Sequence, residues 1–206
     1  MGFPLLHLAT MKSTSFLISK NTSIIYHVDS GNILNNMDAD RIGKSHGYDC
    51  FNDTGNILEY IKEEINDLLD DLPLIVIDKE WYAKKVRFIT HYVCDVFTVG
   101  QICGSKLWGK KDNLIDTAME LVPNKNKYPL FIVDFNSLED FYTQLKSKMF
   151  ETKDIYYKDT QKWFSKFPYF PTPNDVTNLS RRCVCLGASY VASLIKLIEK
   201  KQRKLK

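Results

Sequence analysis

No stretch of this chain reaches the ~20 consecutive apolar residues that a membrane-crossing helix needs. The opening segment MGFPLLHLAT is apolar but short, and it lacks the basic flank of a secretory signal. Gly2 stands where N-myristoylation begins, yet Leu6 occupies the position that wants Ser or Thr. We therefore expect no membrane partner. An excess of one charge sign is missing too: 28 basic against 25 acidic residues leave a net +3, too little to argue for a dedicated nucleic-acid binder without a concentrated basic face. The five cysteines, Cys50, Cys94, Cys103, Cys183 and Cys185, cannot all pair within one chain, and no C-x-x-C motif occurs. A reducing, cytoplasmic setting is the expectation. Low-complexity segments and domain-length repeats are also lacking.

Phosphate loops fail on spacing. Gly43-Lys44-Ser45 ends like a Walker A loop, but Asp38 sits where its first glycine belongs. The run from Gly100 to Lys106 has the wrong interval as well. Asp38 and Asp40 resemble an acidic metal-binding pair, yet Ile42 breaks an EF-hand pattern.

What is present is ordinary globular composition: 206 residues, 44% hydrophobic and 26% charged, enough for one domain over residues 1–206 with a real core. Met11 offers an alternative start, which makes residues 1–12 a dispensable extension. Ser15–Ser19 and Ser23–Val28, rich in β-branched and aromatic residues around Lys20-Asn21-Thr22, predict a hairpin. Residues 29–52 predict a long loop. Ile57, Ile61, Ile65, Leu68 and Leu72 recur at helical spacing over residues 56–72, with a capping-box-like Asn56 and Glu59. Two apolar runs, Pro73–Asp78 and Pro129–Asp134, predict strands buried on both faces. Residues 81–103 carry both patterns; Val86, Ile89, Val93 and Val96 favour a helix through Val96. A helix starts at Asn136 or Ser137, with Leu138, Phe141, Tyr142, Leu145 and Met149 on its core face, and a separate short one covers residues 158–166. After the proline-fixed connector 167–173, Asn174 or Asp175 caps a long final helix, in which Gly187-Ala188-Ser189 permits close approach by another element. The predicted fold is α/β, or compact α+β: a small, mostly buried sheet with an N-terminal hairpin, flanked by five to six helices.

Two side-chain groups can carry chemistry. Asp78 and Asp134 end the two predicted strands, where open α/β sheets bind ligands, and with Glu80 they can share a divalent cation such as Mg²⁺. The competing reading makes them helix caps or turn formers. His91, Cys94 and Asp95 share one helical face and form either a metal or nucleophilic group or a hydrogen-bonded core cluster. Trp81, Trp108, Trp163 and the Phe167–Phe170 strip read as core aromatics or as binding anchors. Lys196 and the basic tail of residues 200–206, together with Lys106–Lys111, offer phosphate contacts or simply a solvated helix end.

Ile132–Tyr142 resembles the strand-to-helix opening of barstar-type ribonuclease inhibitors over a short piece of the chain. The tyrosine-rich acidic helix of that family does not follow, so membership is not claimed; the likeness implies a protein-binding role. Three functions follow as expectations. The first is a non-catalytic protein-binding or regulatory accessory protein without a cofactor. The second is a metal-dependent phosphoryl-transfer or hydrolytic enzyme using Asp78, Glu80 and Asp134. The third is a nucleic-acid-binding accessory protein using the basic C-terminal tail.

Overall fold

The computed structural model describes residues 4–21, 48–70, 79–98, 102, 129–164 and 172–203. Apolar periodicity produces the helix it predicts in α2 (Ile57–Asp70), whose Ile57, Ile61, Ile65 and Leu68 are all buried. The ambiguous stretch after it is helical: α3 runs Lys79–Asp95 and buries Val86, Ile89 and Val93. Two further helices, α4 (Leu138–Phe164) and α5 (Pro173–Arg203), follow, and α1 (Pro4–Asn21) precedes them all.

Capping explains where the last two helices begin. Ser137 Oγ accepts the Asp140 amide at 3.0 Å, while Asp140 Oδ2 accepts the Asn136 amide at 2.8 Å. Thr172 and Asp175 form a fully reciprocal pair, the Asp175 amide donating to Thr172 Oγ1 at 3.2 Å and the Thr172 amide to Asp175 Oδ2 at 2.8 Å, with Pro173 in the first helical position, where a missing N–H costs nothing. The cap of α5 is thus Thr172, two residues ahead of the expected start. The separate helix expected over residues 158–166 is instead the final part of an uninterrupted α4.

The α/β expectation is overturned. Among the described residues the one sheet is a two-stranded antiparallel ladder, β1 (Tyr48–Asp49) and β2 (Thr54–Gly55), pairing Tyr48 with Gly55 and Asp49 with Thr54. Its turn is held by Asp49 Oδ1, which accepts the Phe51 amide at 2.9 Å, and Asp53 takes a positive φ of 54°. Ser15–Ser19, expected in an N-terminal hairpin, lies within α1. The helix holds there because Leu17 and Ile18 are buried in the core, and the Thr10 and Thr14 hydroxyls are satisfied by the Leu6 and Thr10 carbonyls at 2.9 and 2.8 Å. Ser23–Val28 and Pro73–Asp78 lie outside the described residues.

Leu130–Asp134 carries no ladder. Its backbone is satisfied by a helix: the Phe131 amide donates to Ser189 Oγ at 3.1 Å and the Val133 amide to Ser193 Oγ at 2.8 Å. Alternate amides meet serines four apart on α5, so the twofold period of an extended segment is matched to one helix face.

The core sits where α5 packs against α1, α3 and α4, and where α3 packs against α1 and α2. Leu6, Ala9 and Met11, within the stretch read as a dispensable extension, are buried. A Cβ on Gly187 would lie 3.0 Å from Thr10 Cγ2 and 3.4 Å from Cys94 Cα, so the glycine brings three helices together at one point. An aromatic group of Phe97, Phe135, Phe141 and Tyr190 fills the space between α4 and α5. Tyr156 adds a buried bond from its hydroxyl to the Phe97 carbonyl at 2.8 Å. No helix among the described residues is long and apolar enough to cross a membrane.

Candidate metal centre

The close approach at Gly187 sets α1 against α3 and converges their polar side chains. On α3, His91 and Asp95 lie one turn apart on the same face, with Asp95 Oδ2 3.3 Å from His91 Nε2. From α1, His7 brings its Nε2 to 2.9 Å from Asp95 Oδ1. The two imidazoles stack with centroids 4.2 Å apart. Each of the three residues offers one donor atom, and those atoms all lie within 4.8 Å of one another. Residue exposure is 5% for His7 and 3% for both His91 and Asp95, so the group is sealed from solvent.

Two donors that bind one ion at ~2.0–2.1 Å in a tetrahedron stand ~3.3 Å apart. The His91 separation, 3.3 Å to Oδ2, equals that spacing, and the His7 separation, 2.9 Å to Oδ1, is a hydrogen bond that would open by about 0.4 Å to admit an ion. Two neutral imidazoles and one carboxylate suit zinc and ferrous iron. Mg²⁺ prefers an all-oxygen octahedron and fits this set poorly.

A sulfur pair flanks the centre. Cys94 Sγ lies 3.3 Å from Thr10 Oγ1 and 3.7 Å from Cys183 Sγ on α5, and Cys183 donates to the Cys94 carbonyl at 3.4 Å. Burial disfavours charge on His7, but the neighbouring Cys94 and Asp95 outweigh it and hold the imidazolium well above its ordinary range. Burial likewise disfavours the Cys94 thiolate; the hydrogen bond with Cys183 and the His7 charge overcome it and bring the thiol down to about 6.

The structure thus brings His91, Cys94 and Asp95 together as their spacing indicated, and adds His7, which sequence reasoning passed over. The signal available was a histidine and a threonine one turn apart on an apolar segment, but its partner lies 88 residues away. The strand-end group fares differently. Asp134 is exposed and paired with Lys196 at 2.7 Å, which pulls its carboxyl below the usual range. It stands at the end of an extended segment rather than at the edge of a sheet. Asp78 lies outside the described residues, as does the side chain of Glu80, which is in α3. Trp81 is half-buried, with Lys85 5.9 Å above its ring. Trp108, Lys106–Lys111, Phe167–Phe170 and the side chain of Trp163 fall outside the described residues. No protein family, curated protein or solved structure matches the chain.

Proposed function

We propose that this chain is a metal-binding protein that holds one divalent first-row transition ion, zinc or ferrous iron by donor chemistry, on His7, His91 and Asp95. The observation that carries this reading is the convergence of two imidazoles and a carboxylate from two helices in a site closed to water. His7 would be a ligand as the neutral imidazole, so uptake of the ion releases its proton. The ion would tie α1 to α3 across the Gly187 contact. Its role would be to fix the bundle, since all three donors are buried between packed helices. In this reading the protein is a non-catalytic binding or regulatory protein, with the ion as a structural element that supports the surface it presents.

The test is metal analysis of the purified full-length chain, followed by titration with Zn²⁺ and anaerobic Fe²⁺ in competition with a chromophoric chelator. Wild type should take up one equivalent, and His7→Ala and His91→Ala, checked for folding by circular dichroism, should take up none. At an ion concentration one hundred times the dissociation constant, binding adds about 2.7 kcal/mol of stability. At ~2–4 °C per kcal/mol for a chain of this size, the transition rises by about 5–10 °C. Folded wild type that binds neither ion would refute the proposal and leave the group as a hydrogen-bonded ion-pair network of the core.

A further inference from the structure

On the opposite flank of α5 from the histidines' helix contact, a second site is built from arginine. Asn178, Leu179, Arg182 and Leu186 recur along one face of α5 and, with Arg181, line a cavity of about 510 Å³. Pro129, Asp159, Asp175 and Cys185 complete the described wall. Arg181 is half-buried; its Nε is closed to water and has no hydrogen-bond partner, while the rest of the side chain borders the cavity. Neither guanidinium is held in an ion pair with a described residue. Arg182 stacks 5.6 Å over the Tyr156 ring, which orients it without neutralising it. Asp175, which also borders the cavity, is committed to the cap of α5, where its Oδ2 accepts both the amide and the hydroxyl of Thr172. Asp159 has a contact of its own and keeps the net field at the site small.

A buried guanidinium N–H without an acceptor is costly, and the guanidinium fork matches the paired oxygens of a carboxylate or phosphate. The volume exceeds a bare inorganic ion, and Leu179, Leu186 and Pro129 supply an apolar surface for an organic body. We infer that this cavity binds a small organic oxyanion, its phosphate or carboxylate head on Arg181 and Arg182 and its apolar part against Leu179 and Leu186. Affinity rests on short-range hydrogen bonds to the two guanidiniums, because the acidic residues on the wall cancel long-range attraction.

The experiment is calorimetric titration of the full-length chain, at fixed ionic strength, with phenyl phosphate, benzoate and inorganic phosphate, alongside NMR of the arginine Nε–H signals. Binding of phenyl phosphate or benzoate, tighter than inorganic phosphate and with a shifted Arg181 Nε–H signal, is expected; whichever of the two binds more tightly identifies the head group. Arg181→Lys keeps the charge but removes the fork, and should weaken binding about tenfold, the loss of one charge-assisted hydrogen bond. If that variant fails to fold, Arg182→Lys and the wild-type arginine signals carry the same decision. No binding to wild type, or equal binding to wild type and a folded variant, would overturn the inference. The result is independent of metal uptake, since none of these residues is among the three metal donors.

Discussion

Gly187→Ala tests the packing that assembles the candidate centre. In an isolated helix interior the change would stabilise by ~0.8–1.0 kcal/mol. Here the new methyl would lie 3.0 Å from Thr10 Cγ2 and 3.4 Å from Cys94 Cα. Thr10 cannot swing aside freely, because its hydroxyl bonds the Leu6 carbonyl at 2.9 Å and lies 3.3 Å from Cys94 Sγ. Overpacking of this kind costs ~1–3 kcal/mol. The net expectation is a loss of about 1 kcal/mol, the balance of overpacking against propensity. Thr10→Ser keeps the hydroxyl and deletes the obstructing methyl, at a cost of about 0.5–1.5 kcal/mol by analogy with Ile→Val. In that background Gly187→Ala should become neutral or stabilising, since the propensity gain remains and only the contact with Cys94 Cα opposes it. Urea denaturation of all four proteins, followed by far-UV circular dichroism, gives the coupling directly, and about 1–2 kcal/mol is expected. A stabilising Gly187→Ala in wild type, or effects equal within ~0.5 kcal/mol in both backgrounds, would refute the reasoning.

Ser193→Ala should strip the acceptor from the Val133 amide and cost about 1–2 kcal/mol, the range for a hydrogen bond lost with its partner left unsatisfied. The local signature is faster hydrogen exchange at Val133, and unchanged exchange there would remove Ser193 from this role. The His7–Cys94 pair predicts a flat pH profile in chelator-treated protein. His7 alone, raised on folding, contributes stability that is full below its unfolded value of 6.5 and is lost as pH rises through the folded value. Cys94, lowered on folding from 9.0 to about 6, contributes stability that is full above 9.0 and is lost as pH falls through about 6. Across neutral pH the folded chain gains one proton on His7 and loses one from Cys94, so the slopes cancel. A wild-type stability that rises or falls steadily between pH 6.5 and 9.0 would disprove the assignment.

Local pattern was legible where a helix buries one face. Ile57, Ile61, Ile65 and Leu68 identified α2, the α4 core positions Phe141, Leu145 and Met149 are all fully buried, and Gly187 marked a close approach that occurs. Pro129–Asp134 shows the limit. An apolar run with strand composition does adopt an extended backbone over Leu130–Asp134, but composition does not say what bonds it, and its amides are met by hydroxyls on a helix rather than by another strand. Ser15–Ser19 fails for the complementary reason, because burial of Leu17 and Ile18 in a helix packed on α5 outweighs intrinsic strand preference. Two of the three donors of the candidate centre could be read from the fourfold spacing of His91 and Asp95. His7 could not, since nothing local ties residue 7 to residue 95.

Among the described elements the most extensive contact joins α1 to α5, far apart along the chain. α1 has no separate apolar stripe of its own; its buried positions include His7, Thr10 and Thr14 beside Leu6, Leu17 and Ile18. Such a helix gains little from forming alone. During synthesis α1 meets α3 first, but its larger partner is missing until α5 has emerged, and the loop closure between them makes this a slow, non-local step for a helical protein. The exposed interval favours association with chaperones or with other copies of the chain. Docking of the earliest helix onto the latest one is then the event that completes the core, and a probe on α1 would report the end of folding rather than its beginning.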